Sequence, residues 1–162
     1  MDDVKASLQG ALRKFPAAVT VISARRPDGM LLALTATAVT VLTLDPPTMI
    51  GCVNRKSAFA AGLDGVDAFC INVLTEAQME VSAACAGAVP QGERDRVAAW
   101  RDGPYAVPVL ADAQTSIICR KHEITVPGSH ALLLGEVIAV EVAETVRPLI
   151  YLDRAYGGFS RL

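Results

Sequence analysis

The most chemically loaded stretch of this chain is "GCVNRKS", Gly51 to Ser57. An apolar, β-prone run ends there in Asn54, Arg55, Lys56 and Ser57, and the following "SAFAAGL" has the make-up of one or two helical turns. The first N–H groups of a helix have no intrahelical partner, and the helix dipole adds positive potential beside them. An anion suits that position. Lys56 and Arg55 add charge, while Asn54 and Ser57 add directed donors. Two readings stay open on these residues alone: a phosphate cradle, or a solvated turn in which Ser57 is an ordinary N-cap.

Two other stretches carry candidate chemistry. In "TATA" (Thr35, Ala36, Thr37, Ala38) small side chains leave room for a flat ligand, whose polar edge could meet threonine hydroxyls or backbone groups. The same smallness also permits close packing against another strand or a dimer partner. His130, in "PGSHALLLGEV", begins a strand just after a turn. Strand ends line the mouths of barrels, and an exposed turn histidine is the plainer alternative.

Several chemistries lack their residues. No GxGxxG, Walker loop or GxSxG elbow occurs. With two histidines in the chain, His-rich metal catalysis is not expected. Cys119 and His122 lie three apart, a spacing that points them to opposite faces of a strand, and no second ligand pair accompanies them. No metal site is expected. Cys52, Cys70, Cys85 and Cys119 form no CxxC pair, and three of them sit in apolar stretches. They read as small buried thiols, unpaired in a reducing compartment.

These residues need elements to hold them. Val4, Leu8, Leu12 and Phe15 recur at helical spacing before Pro16, which predicts an opening amphipathic helix. "AAVTVISA" (17–24) reads as a strand, and "RPDG" (26–29) as a turn. Residues 30–44, "MLLALTATAVTVLTL", alternate throughout and predict one long strand that stops at Asp45-Pro46-Pro47. "TMIGCV" and "AFCINVL" predict two more strands. Thr75 and Gln78 fit a capping box at the start of a helix. Residues 87–112 are rich in Gly, Pro and charge and read as a long loop around Trp100. "TSIICRKHEITV" and "ALLLGEVIAVEVAE" form a hairpin-like pair around "PGSH". "RPLIYLDRAYGGFSRL" supplies a last short strand and a tail.

Consecutive strands with short turns, decorated by three short helices, favour a mainly antiparallel barrel over a doubly wound sheet. The 162 residues, 52% of them hydrophobic, suit a single domain spanning 1–162. The formal net charge of -2, with no basic tail, argues against a nucleic-acid partner. Charged residues interrupt every long apolar run, so no membrane span is expected. The acidic start "MDDVKASLQG" lacks the order of a secretory signal, and a cytoplasmic location is expected.

Taken together, the stretches resemble the flavin reductase-like family, the FMN-binding split barrels that serve as reductase components of two-component flavin monooxygenases. "FPAAVTVISA" resembles the family's opening strand. "LTATAVTVLTLDPPTMIGCVNRKS" resembles its "MTANSFTSVSLDPPLVLVCVNKSS" pattern, "AFCINVL" its "FAVNVL", "PGSHALLLGEVIAV" its "GDHTLFIGEVVAV", and "PLIYLDRAYGGF" its closing segment. The pieces run in the family's order over nearly the whole chain. The resemblance implies a six-stranded antiparallel Greek-key split β-barrel with a few short helices. It also implies a homodimer with FMN, or FAD, near the subunit interface, and NADH or NADPH as hydride donor.

Carried over residue by residue, Thr35, Ala36, Thr37 and Ala38 would border the isoalloxazine. Cys52, Val53 and Asn54 would line the ribityl and ring side, and Lys56 and Ser57, with help from Arg55, would meet the phosphate. His130 would stand by the flavin and the incoming nicotinamide. Arg96 matches the arginine of the family's "RF" loop, although Val97 follows it here, and Tyr156 matches the family's late tyrosine. The departures are specific. Thr37-Ala38 replaces Asn-Ser, Ser57-Ala58-Phe59 replaces Ser-Ser-Thr, and Ser129 replaces the Asp that would orient the histidine. The expected activity is reduction of flavin by NAD(P)H for a separate flavin-dependent monooxygenase. The alternative is a non-catalytic flavin carrier. A pyridoxamine-phosphate-oxidase-like enzyme would need a stronger basic phosphate site.

Overall fold

The computed structural model describes residues 2–161. Helix α1 (Asp2–Leu12) forms where the apolar spacing predicts it, yet Val4, Leu8, Leu12 and Phe15 are all exposed and join none of the chain's cores. The run 17–24 is divided into β1 (Ala17–Ala18) and β2 (Thr20–Arg25), because Val19 donates its N–H to Leu149 and accepts from Leu74 instead of continuing one ladder. The "RPDG" turn closes with Gly29 at φ +86° and its N–H on the Arg26 carbonyl, 2.9 Å away.

The single strand expected over 30–44 is in fact two. Strand β3 (Leu31–Ala36) pairs with β2, and β4 (Val39–Leu44) pairs with β5 (Pro47–Asn54). Ala36 still faces Thr20 of β2, whereas the Ala38 carbonyl already accepts from Cys52 of β5 at 2.8 Å. The chain therefore changes partners at Thr37-Ala38, and hydrophobic alternation does not register a change of partner.

Downstream lie α2 (Ala58–Ala61), β6 (Ala68–Val73) and a 3₁₀ turn at Glu76–Gln78 that opens α3 (Met79–Ala83). The Thr75–Gln78 capping box is formed. The long loop expected over 87–112 instead holds a 3₁₀ helix (Gln91–Arg96) and a small hairpin, β7 (Trp100–Asp102) with β8 (Pro108–Leu110). These strands are too short to show a period of two. Strands β9 (Thr115–Thr125) and β10 (His130–Val142) form the expected hairpin, and β11 (Ile150–Leu152) and β12 (Ala155–Gly157) close the chain beside β1.

The main sheet runs β3-β2-β6-β9-β10-β5-β4, all antiparallel. It has seven strands rather than the expected six, and the extra one comes from the break at Thr37-Ala38. Counted as one interrupted strand, β3 and β4 sit between β2 and β5 and join the two ends of the sheet. With β6 beside β2, the order is that of a Greek key. The interior holds Ile22, Leu32, Val53, Phe69, Ile71 and Leu133, together with Phe59 of α2.

The outer face of β3-β2-β6-β9 is covered. Residues of α3 and the segment after it pack Cys85, Leu110 and the half-buried Trp100 onto Val19, Val21, Leu31 and Ala33, while Val107 and Val109 cover Cys70 and Ile118. Among the described residues the outer face of β10-β5-β4 carries no such layer: Thr40 and Leu42 are exposed, and Ile50, Cys52, Leu132 and Leu134 are only partly buried.

Candidate functional site

Strand alternation decides what each candidate residue can offer. On β5, Val53 is buried in the barrel core, and a side chain at Gly51 would run into Ile22, so both point inward. Cys52 and Asn54 therefore point outward. On β10, Ala131 and Leu133 are core residues, so His130 and Leu132 point outward. The register pairs His130 with Asn54 and Leu132 with Cys52, which puts these side chains on one face as cross-strand neighbours. Val53 can offer only its backbone to a ligand.

The loop that follows is held by its own residues. The Asn54 side-chain oxygen accepts the Lys56 N–H at 2.9 Å, and the Asn54 carbonyl accepts the Ser57 N–H at 2.9 Å. Ser57 caps α2, accepting the Ala60 N–H at 3.1 Å. The Arg55 N–H donates to the Ser129 carbonyl at 3.1 Å, tying this loop to the turn before His130. So Asn54 and Ser57 are structural first. What remains outward are the exposed Arg55 and Lys56 side chains. Phe59 stands where the resemblance expects a hydroxyl, and it is buried in the core.

His130 does have an orienting group. Ser129 Oγ lies 2.9 Å from His130 Nδ1, so a serine hydroxyl occupies the role that the sequence comparison left vacant. This leaves Nε2 as the nitrogen available to a ligand. Thr37 and Ala38 are exposed at the strand break, beside Cys52.

A second group gathers on the other side of that break. Thr35 Oγ1 donates to the Ser82 carbonyl at 2.7 Å, and Ser82 Oγ lies 2.9 Å from Tyr156 Oη. Thr35 and Tyr156 are thus brought together through a residue that sequence reasoning did not select. Ala36 is buried. Arg96 is exposed at the end of its 3₁₀ helix and makes no hydrogen bond or ion pair among the described residues. The buried arginine of that helix is Arg94, which donates to the carbonyls of Val89 and Ala33 and to the Gln91 side chain. Nothing in a one-dimensional pattern distinguishes the two arginines; only burial does.

None of the principal clefts of the single chain is lined by a candidate residue. The candidates form an open shelf on the uncovered face of the barrel. No thiol among the buried cysteines suits a nucleophile: burial pushes Cys70 and Cys119 up to about 12 and Cys85 up to about 11.

Comparison with known proteins settles the lineage. The family profile described as "Flavin reductase like domain" matches residues 12–160. The chain belongs to this family. The reductase component of the FADH(2)-dependent resorcinol hydroxylase of Rhizobium sp. (strain MTP-10005) is 34% identical over 160 residues, covering 96% of this chain and 87% of that protein. The FMN reductase (NADH) RutF 2 of Rhizobium rhizogenes is 33% identical over 155 residues, with 96% and 89% covered. Among solved structures, BorF, the flavin reductase component of a bacterial two-component tryptophan halogenase, superposes with a TM-score of 0.86 at 25% identity. That match covers 98% of this chain and 99% of BorF. The barrel described above is thus the split barrel of the flavin reductases on which it superposes.

Proposed function

We propose that this chain is an NADH-dependent flavin reductase that supplies reduced flavin to a separate monooxygenase component. Family membership and relatives that are FMN reductases or reductase components support the activity over a carrier role. The observation that carries the site is the pairing of His130 with Asn54 on the uncovered face, next to the basic loop at the start of α2.

The residues fit a flavin in type and order. The small outward residues Thr37, Ala38 and Cys52 would leave room for a flat ring against the strands. Lys56 and Arg55 would hold the phosphate. When bound, the flavin supplies the redox chemistry by accepting at N5 the hydride released from nicotinamide C4. The protein's part is alignment and water exclusion. His130, oriented by Ser129, would stand against the nicotinamide and fix its approach. Backbone N–H groups near Thr37-Ala38 would stabilise negative charge building on the ring's pyrimidine edge. Because hydride transfer needs no protein base, the lack of an acid–base cluster is no obstacle.

The reading extends to assembly. An uncovered apolar barrel face, with Leu42 and Val41 exposed at its edge, supports a homodimer whose partner covers the shelf and completes the pocket. Analytical ultracentrifugation tests this, and a monomer at micromolar concentration counts against it. Four free cysteines suit a reducing cytoplasm, and among the described residues no helix is long and apolar enough to cross a membrane.

The deciding assay is steady-state oxidation of NADH and of NADPH with FMN, FAD and riboflavin. Flavin-dependent NADH turnover is expected, with FMN preferred to riboflavin if the basic loop reads the phosphate. Tight flavin binding without turnover would instead make the protein a carrier.

A further inference from the structure

Strand β3 is an edge of the main sheet, and its outward backbone groups need partners. The covering segment supplies partners to two of them, the carbonyls of Leu31 and Ala33, and takes a side-chain bond from the strand at the next alternate residue, Thr35. Gln91 Nε2 donates to the Leu31 carbonyl at 3.3 Å, Arg94 Nη1 to the Ala33 carbonyl at 2.5 Å, and Thr35 Oγ1 donates outward to the Ser82 carbonyl at 2.7 Å. The spacing 31, 33, 35 follows the period of the strand. Ser82 differs from the other two contacts because it reaches a second element. Its hydroxyl, in a fully buried residue, meets Tyr156 Oη at 2.9 Å.

Tyr156 lies on β12, whose only strand partner among the described residues is β11 and which sits outside the main sheet. Its ring packs edge-on against Tyr151, with centroids 5.4 Å apart. The hairpin β11–β12 is tied to the barrel near its base, through the backbone bonds of Leu149 to Val19 and Leu74. At Tyr156 the tie is the Ser82 hydroxyl. A buried serine on a helix can also bond back to its own helix; here it reaches forward to the tyrosine.

We propose that Ser82 is a positioning residue for the flavin pocket. Its carbonyl fixes Thr35 at the end of β3 while its hydroxyl fixes Tyr156, so that the C-terminal hairpin and the strand break present one wall to the bound ring. This rests on the proposed flavin reductase activity, because Thr35 and Tyr156 border the flavin only under that reading. Ser82 itself touches no ligand. Its loss therefore loosens flavin binding more than it slows the reaction of the bound flavin.

The test uses the full chain, with NADH saturating and FMN varied. In Ser82→Ala the KM for FMN is expected to rise roughly three- to tenfold, the range a single hydrogen bond supports, while kcat falls by less. Tyr156→Phe removes the same bond from its exposed end, so its KM effect should be of similar size. The double variant should then be no worse than the poorer single. An unchanged KM in Ser82→Ala overturns the proposal, as does a double variant in which the two effects multiply. Should Ser82→Ala fail to fold, Tyr156→Phe decides alone: a KM equal to that of the wild type overturns the proposal. The two readings fail separately. A wild-type protein without FMN-dependent NADH oxidation sinks the proposed function. An active wild type with an indifferent Ser82→Ala sinks only the positioning role.

Discussion

The two outer faces of the barrel were built from the same kind of alternating strand and ended in opposite states. On the covered half, outward polar groups are satisfied inside the chain. Asn72 is the centre of that half: its amide donates to the Val21 carbonyl at 3.0 Å and to Ser23 Oγ at 2.9 Å. Its oxygen accepts from the Leu110 N–H at 2.9 Å and from Ser116 Oγ at 3.1 Å. Ser23 in turn donates to the Pro108 carbonyl at 2.5 Å. One asparagine thus clamps β2, β6 and β9 to β8. On the bare half, His130, Arg55 and Lys56 are exposed, and the shelf between them is uncovered. Polar groups that bind one another hold a fold together, whereas groups left unspent are available to a ligand or a partner.

That contrast breaks most readily at Asn72. Asn72→Ala strands a buried N–H and several buried oxygens, and should destabilise the protein by about 3–5 kcal/mol, read from urea unfolding. The KM for flavin of the protein that remains folded should move less than about twofold, since each half is satisfied separately. A KM that shifts in step with stability would mean the halves are mechanically one.

A second large effect comes from the buried thiols. Burial raises Cys70 and Cys119 to about 12 and Cys85 to about 11, against an ordinary 9.0. The folded state holds these protons more tightly than the unfolded chain does. Their contribution is therefore complete below pH 9 and is lost as pH rises through the window from 9 to about 12. The loss approaches about 1.4 kcal/mol per pH unit for each thiol. Unfolding curves at pH 8 and pH 10.5 should show this decline, and Cys119→Ala should flatten it despite a lower starting stability. Equal slopes in the two proteins would exclude burial of that thiol as the cause.

On the bare half the sign of the experiment reverses. His130→Ala should lower the rate of flavin reduction by about tenfold or more, as loss of alignment does, while shifting unfolding free energy by no more than about 0.5 kcal/mol. Stopped-flow absorbance of the bound flavin reads the first and urea unfolding the second. Reduction at the wild-type rate would remove His130 from the mechanism.

How much of this was legible in the sequence follows the same division. The hairpin β9–β10, strand β6, the capping box at Thr75 and the cap at Ser57 were readable because each is fixed by local period or local chemistry. The break at Thr37-Ala38 was not, since it arises where one continuously alternating run leaves β2 for β5, and an exchange of neighbours leaves no mark on the alternation. The β7–β8 hairpin escaped notice because strands of three residues show no alternation. At the site, Asn54, Lys56 and His130 were legible as residue types near turns. The meeting of Asn54 with His130 depended on the β5–β10 register, which no local pattern states. Ser82 gave no signal at all: a serine among helix formers looks ordinary until its burial and its tyrosine are seen.

The smallest expected effect sharpens the comparison within one residue type. Three of the four cysteines are buried, and Cys52 alone is half-exposed, on the outward face of β5. Iodoacetamide should therefore modify Cys52 before the others in the native protein, with mass spectrometry of peptides as the readout. Saturating FMN should slow that modification by a few-fold, roughly the shielding expected of a ligand lying across the thiol. If FMN binds and leaves the rate at Cys52 untouched, the flavin does not cross β5 at that point. The shelf would then be left to the proposed dimer partner, and the ring would have to lie on the Tyr156 side of the strand break instead.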